Sequence, residues 1–223
     1  MQKWRTELHC HTAASPDSLV KLKDLIKVAR KRGIDRLAIT DHNTIRGALA
    51  AKKLDPELVI IGEEILTTNG ELLAFFVQEE IPKRLPPLEC IQRLRDQNAF
   101  ISVSHTFDRL RHGWSLEDLI EITPLIDAIE IFNARSFVST INEEAKKFAK
   151  ANNLLGTVGS DAHTLGEIGN ATQLLAPFSN AETFKQSLSM AEYSENYASP
   201  LVRIGSTFAK NIKKLIGKER FSL

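Results

Sequence analysis

Six histidines punctuate the 223-residue chain, at positions 9, 11, 42, 105, 112 and 163, and five of them sit where a short apolar run ends. His9-Cys10-His11 follows Leu8. Residues at i and i+2 of a strand share a face, so both imidazoles can aim at one object while Cys10 points the other way. Asp161-Ala162-His163, after LLGTVGS, repeats that spacing with a carboxylate. Thr40-Asp41-His42, Gly62-Glu63-Glu64 and Ser104-His105 end three further runs. Imidazole with carboxylate is a donor set for Zn²⁺, Mn²⁺ or Fe²⁺. Each group alone also has an ordinary reading: Asp41 as a loop hydrogen-bonder, Asp17 as the N-cap of the helix after it, Glu64 as a surface residue, His105 as a core histidine. Ligand types at five separate run ends point instead to one polynuclear metal site.

The elements that must position these groups alternate along the chain. Strands are expected at 35–40, 58–62, 72–77, 100–104, 127–132 and 155–159, with a first run ending at Leu8. Helices are expected at 18–32, 44–53, 88–97, 115–122 and 139–152. Gly33 stands where a helix C-cap belongs, Ser115 with Asp118 reads as a capping box, and Asn69-Gly70 reads as a tight hairpin turn. Such alternation implies mostly parallel strands with helical crossovers, and about seven units in this length suggest an α/β barrel. The catalytic groups of such a barrel collect at the C-terminal ends of its strands, where the histidines fall. No glycine-rich phosphate loop follows a strand. Residues 201–217 predict a last amphipathic helix, with Leu201, Ile204, Phe208, Ile212 and Leu215 packed on the body and Lys210, Lys213 and Lys214 around that stripe. One domain is expected over 1–223, with helices in 181–223.

Composition narrows the class. Lys plus Arg number 29 and Asp plus Glu 28, a net charge of +1, so no global basic excess marks a nucleic-acid binder. No apolar run approaches the roughly 20 residues of a membrane span, and no apolar signal stretch follows the first residues. Two cysteines, Cys10 and Cys90, make no disulfide framework, so a reducing cytoplasm is expected.

Taken together the motifs resemble the PHP (polymerase and histidinol phosphatase) family: H-x-H-T at His9-Cys10-His11-Thr12, T-D-H at Thr40-Asp41-His42, G-x-E at Gly62-Glu63-Glu64, the single His105, and S-D-A-H at Ser160-Asp161-Ala162-His163. The resemblance runs from about residue 6 to 176. It implies a distorted (β/α)₇ TIM-like barrel with a hairpin near 64–77, two or three divalent ions (Zn, Mn or Fe) at the strand ends, and phosphoester hydrolysis. By position, the metal ligands it implies are His9, His11, Asp17, His42, Glu64, His105, Asp161 and His163. Asn133 falls where the family places a further, variable ligand. Asp41 would orient a ligand imidazole. His105 precedes Thr106, where the family often has His-Pro.

The implied reaction is attack on phosphorus by a metal-bridging hydroxide with Glu64 as bridging carboxylate, and Asp161 or His163 protonates the leaving alkoxide. Arg135, in an Asn-x-Arg that some PHP phosphatases resemble, is the first choice for a phosphate contact, with Arg109 and Arg111 beside it; His112 contacts substrate or caps its loop. The expected partner is a small-molecule or nucleotide phosphate ester. An exonuclease-like diesterase ranks lower, because nucleic-acid grooves usually show a basic stripe with stacking aromatics, and aromatics are 7% here. An intact ligand set disfavours a non-enzymatic scaffold. Amidohydrolase barrels also open with H-x-H, but they tend to be longer and carry a metal-bridging Lys at a middle strand end, and no strand here ends in Lys.

Overall fold

The computed structural model describes residues 2–136 and 138–216, with backbone alone for Arg203, Ile204 and Ile216. Apolar runs become β1 (Trp4–Glu7), β2 (Arg36–Ile39), β3 (Val59–Leu66), β4 (Glu71–Phe75), β5 (Phe100–Val103), β6 (Ala128–Asn133) and β7 (Leu155–Gly159). Between them lie α1 (Leu22–Lys31), α2 (Arg46–Leu54), α3 (Pro87–Asp96), α4 (Leu116–Ile122) and α5 (Ser139–Ala151). The chain continues through β8 (Ala171–Leu175), α6 (Ala181–Leu188), β9 (Glu192–Glu195) and α7 (Val202–Ile216).

The strands form one sheet in the order β7-β6-β5-β4-β3-β2-β1-β8-β9. β1, β2 and β3 are parallel neighbours, as are β5, β6 and β7, while β4 runs antiparallel between β3 and β5. A parallel bridge from Cys10 to Ala162 draws the ends of β1 and β7 together. The sheet therefore nearly closes, giving the distorted TIM-like barrel expected. β8 and β9 were not anticipated: β9 reads Glu-Tyr-Ser-Glu and shows no apolar alternation, so its pairing with β8 is visible only in three dimensions.

Local signals account for several boundaries. Gly33, at φ +68°, ends α1. Ser115 Oγ accepts from the Asp118 N–H at 3.1 Å and starts α4. α1 begins at Leu22 rather than 18, so Asp17 is not its N-cap. The β3–β4 hairpin has a four-residue loop, closed by the Thr67 N–H on Gly70 O at 2.9 Å. Gly70 serves there by lacking a Cβ, which would lie 2.4 Å from the Trp114 indole nitrogen.

Period-two alternation separates the barrel interior from its helical jacket. Phe100 and Ser102 on β5, Ile60 and Glu64 on β3, Phe75, Leu73 and Glu71 on β4, and Ala128 and Glu130 on β6 share the inner face. Ile60, Leu73, Phe75, Phe100 and Ala128 pack with Phe178, Phe184 and Leu188 as an apolar plug at one end. The alternate residues, such as Ile65, Leu72, Ile101, Val103 and Ile129, pack against the helices, as Cys10 does with Leu22, Leu25 and Ala29. Moving up each inner face, apolar side chains give way to Glu64, Glu71 and Glu130.

The expectation for α7 is corrected. Leu201, Phe208 and Leu215 are 72%, 58% and 84% exposed, while Ala209 and Lys213 are buried. Small Ala209 lets the helix approach closely, and the lysine finds main-chain partners beneath it. Ile212 is half-buried; the side chain of Ile204, and Gly217, lie outside the described residues. Both cysteines are buried and free. Among the described residues no helix is long and apolar enough to cross a membrane.

At the base of the barrel Asp127 fastens three elements. It accepts from Arg95 Nη1 at 2.6 Å, Lys185 Nζ at 2.6 Å and the Ile101 N–H at 3.0 Å. Burial would raise its pKa, but Arg95 and Lys185 hold the carboxyl below its ordinary value. Asp127→Asn is expected to cost about 1–2 kcal/mol at pH 7, since both cations are partly solvated. A lowered carboxyl pKa stabilises the fold above the unfolded value and loses that effect as pH falls. The gap between parent and variant in urea unfolding should therefore narrow below about pH 4.

Candidate metal centre

Because β1 ends just below them, His9 and His11 turn inward side by side, their rings 5.1 Å apart. His42 follows β2, Glu64 lies within β3, His105 follows β5, and Asp161 and His163 follow β7. Glu64 sits among four imidazoles. Its Oε1 is 3.4 Å from His9 Nε2 and 3.2 Å from His105 Nε2; its Oε2 is 3.4 Å from His11 Nε2 and 3.0 Å from His42 Nδ1. Asp161 Oδ1 lies 3.3 Å from His11 Nε2 and 3.4 Å from His163 Nδ1. Asp17 Oδ2 joins His42 Nε2 and His163 Nε2 at 3.4 and 3.3 Å. Three donor groups result in which the facing atoms lie within 4.8 Å of one another: His11–His42–His163, His9–His11–Asp161 and His42–Glu64–Glu71.

The surrounding hydrogen bonds decide which ring nitrogen faces inward. Glu130 takes the His9 Nδ1 proton at 2.9 Å. Ser15 gives its single hydroxyl proton to Asp41 at 2.7 Å, so its oxygen accepts from His11 Nδ1 at 3.1 Å. Both arrangements leave Nε2 aimed at the centre, where His9 Nε2, His11 Nε2 and Glu64 Oε2 are buried without a hydrogen-bond partner. Buried lone pairs of this kind are costly unless a cation satisfies them, and imidazoles backed by a carboxylate or hydroxyl are the usual metal-ligand arrangement. The donor set fits divalent ions.

Electrostatics inside the cluster are uneven. Burial alone would lower the pKa of His9 and His42; Glu64 with Asp161 and Glu130, and Glu64 with Asp17, hold them well above the ordinary value. His105 is pushed up to about 9: burial and Arg111 oppose this, and hydrogen bonds to Glu64 and Glu71 prevail. His11 goes the other way, to about 3, through burial and the flanking His163 and His42. Its ring is 4.4 Å from His42 and 4.2 Å from His163, so a further positive charge there is disfavoured. Burial would raise the carboxyls of Glu64 and Asp161, yet the neighbouring imidazoles hold both well below the carboxylate range. His105 and Asp161 keep φ values of +24° and +51°, a region that non-glycine residues seldom occupy outside functional turns.

All eight positions carried over without reservation thus converge. Asn133 stands beside them, its amide already engaged: Nδ2 donates to Glu130 and Asp161 at 2.9 and 3.2 Å, and Oδ1 accepts from the Arg135 N–H and Arg111 Nη2. Asp41 reaches an imidazole only through Ser15. Arg111 bonds Asp161 and Asp108. Arg135 lies 2.7 Å from His163 Nδ1 and is held by Ser206 and Glu167. Both line a cleft of about 470 Å³ over the centre, with His112 and Lys210 at its walls; Arg109 is exposed outside it. Glu71 and Glu130 were missed. Glu71 Oε2 is 3.2 Å from His105 Nε2, and Glu130 also accepts from the His105 N–H at 2.8 Å. Their signal was a carboxylate recurring in phase with the inner apolar residues, 71-73-75 and 128-130.

Comparison with known proteins agrees with this geometry. The sequence matches the family described as PHP domain over residues 7–144 and the one described as PHP-associated over 140–192. Two uncharacterized proteins of Methanocaldococcus jannaschii are similar: one is 40% identical over 58% of this chain and 82% of its own length, the other 34% identical over 75% and 68%. A 5′-3′ exoribonuclease of Haemophilus influenzae is 34% identical over 42% of this chain, a stretch that spans 36% of that enzyme. Among solved structures, a two-domain Bacteroides vulgatus protein containing a predicted PHP-like metal-dependent phosphoesterase superposes with TM-score 0.73 at 17% identity, over 87% of this chain and 65% of that one. The lesion-specific endonuclease PfuEndoQ of Pyrococcus furiosus gives 0.64 at 14%, over 89% and 60%.

The Asp41–Ser15 relay depends on one close approach. A Cβ on Gly47 would lie 2.1 Å from Asp41 Oδ2 and 2.5 Å from Thr12 Oγ1. Helix propensity alone would make Gly47→Ala stabilising by about 1 kcal/mol. We expect the opposite sign, a net loss of roughly 2 kcal/mol, because Asp41 is hydrogen-bonded on both oxygens and has no room to move. Denaturant unfolding of the metal-free protein reads the sign directly.

Proposed function

The chain belongs to the PHP-domain family, and on that premise we propose that it hydrolyses phosphoesters with two or three divalent ions held at this centre. The observation that carries the reading is the set of buried, inward-facing donor atoms without hydrogen-bond partners at His9, His11 and Glu64, with Asp17 beside them. With His42, Glu71, His105, Asp161 and His163, these residues would hold the ions. Bound there, divalent ions neutralise phosphate oxygens and lower the pKa of water.

The chain's own groups do the rest. Arg111 and Arg135 approach the cleft from the loops after β5 and β6, each fixed by carboxylate, amide or hydroxyl partners, and so present their N–H groups to an anion with little ordering left to do. Asp161, kept ionised by His9, His11 and Arg111, has no proton to give. His163, with Nε2 toward Asp17 and Nδ1 against Arg135 and the Asp161 carbonyl, serves as a ligand and not as the acid. Asn133 acts as the hinge of this network, joining Asp161, Glu130 and Arg111, more than as a ligand.

The favoured substrate is a small phosphate ester of about nucleotide size, which suits the cleft. A second reading, action on nucleic acid ends, is favoured by the similarity to the exoribonuclease and by the fold shared with the endonuclease. Glu64→Ala or His105→Ala should lower Mn²⁺-supported turnover of a phosphomonoester at least about 100-fold. Full turnover in either would refute the assignment. Arg135→Gln should mainly raise KM. A panel of one monoester, one dinucleotide, a 5′-phosphorylated oligonucleotide and an amide separates the two readings from each other and from amide hydrolysis.

A further inference from the structure

One wall of the cleft belongs to α7, which contributes Ser206, Thr207 and Lys210. Three residues past Lys210, on the same helical face, Lys213 is only 3% exposed. Its ammonium donates to two main-chain carbonyls of a single loop, Ala13 O at 2.7 Å and Ser15 O at 2.6 Å. An ammonium buried against carbonyl oxygens holds those oxygens in place, since neither partner can return to water without opening the contact.

That loop matters because of what it carries. Residues 12–21 form neither helix nor strand. Glu64, Glu71 and Glu130 are set by strands, and Asp161 follows β7 by two residues. Asp17 lies ten residues beyond the end of β1, yet its Oδ2 stands 3.3–3.4 Å from both His42 and His163. Its neighbour Ser18 donates to the His11 and His163 carbonyls at the strand ends, and a second anchor comes from outside the sheet. Ser15 is tied to Asp41 on one side and to Lys213 on the other, and Asp17 is two residues further on.

We propose that α7 is a built part of the centre, with Lys213 as the positioning residue that holds the 12–18 loop and so the Asp17–His42–His163 corner in shape to take a divalent cation. The proposal rests on the metal-centre reading above. The corner shares His42 with the strand-borne donors, so the helix acts most on the ion next to Asp17 and least on the one held by His9, His11 and Asp161.

The test is titration of the metal-free full chain with Mn²⁺ by calorimetry, with bound metal counted after dialysis. Lys213→Met should weaken the most weakly held ion about 10-fold or more and leave the others within about twofold. Lys213→Arg, which keeps donors for both carbonyls, should restore most of that loss. Asp17→Asn should weaken the same ion, and the double variant should be no worse than Asp17→Asn alone. If Lys213→Met does not fold by circular dichroism, Lys213→Gln is measured in its place. A parent-like isotherm, or a parallel weakening of every ion, overturns the proposal. If Asp17→Asn itself binds like the parent, the metal-centre reading of this corner fails, and the helix proposal with it.

Discussion

Everything in this molecule answers to the difficulty of keeping charged groups out of water. At the top of the barrel five imidazoles and at least four carboxylates share a space that water barely enters. An unpaired ion there would cost several kcal/mol, and pairing helps only if the geometry is nearly complete. Glu64 meets the condition by facing four histidines at once. His11 meets it by remaining neutral between two other rings. Protons on His9, His42 and His105 balance the carboxylates when no cation does, and metal binding is then an exchange of protons for divalent ions in one network. Glu130, Ser15 and Asp41 do not touch the centre of that exchange, but they determine which nitrogen takes part.

The barrel supplies such a place because a strand has two faces and two ends. Inner-face residues at one end are Phe75, Phe100, Ile60 and Ala128, packed by Phe184 in edge-to-face contact at 4.8 Å from Phe100. Two to four residues along β3, β4 and β6, the same face carries Glu64, Glu71 and Glu130. The plug excludes water from below and leaves the polar groups access only from the cleft. β4 obeys the rule in reverse: it runs antiparallel, so its first residue, Glu71, reaches the centre while Phe75 reaches the plug.

Much of this was legible in the sequence. The seven apolar runs and the hairpin were readable because buried strands need continuous or alternating apolar residues. Five of the six histidines were readable because each ends a run. Glu71 and Glu130 were equally encoded, but Glu71 falls one residue before the expected 72–77 run and Glu130 inside the 127–132 run, where a lone carboxylate looks like an interruption until the strand's facing is known. β9 could not have been found locally, since Glu-Tyr-Ser-Glu pairs only because β8 offers an edge. The α7 stripe misled for a related reason: hydrophobic periodicity shows which face is apolar, and the packed face here carries Ala209 and Lys213, which bonds the Ala13 and Ser15 carbonyls. Arg109 and Arg111 differ by two residues and share a loop, yet only Arg111 finds Asp161; nothing in the sequence distinguishes them.

The division between floor and walls also bears on what the centre can select. The floor is set by strands and by a relay of hydrogen bonds with little slack, so its donor atoms are held in one arrangement. The walls come from loops and a helix: Arg111 and His112 after β5, Arg135 after β6, Lys210 on α7. Arg111 and Arg135 are already tied to Asp161, Glu167 and Ser206, which fixes the distance from the reacting centre at which an anion is met. Lys210 is exposed and extends that positive wall toward the mouth. Together they give the cleft a cationic wall that reaches from the arginines to the mouth. α7 and the two arginine loops, which line the cleft, are the parts of the site least constrained by the sheet.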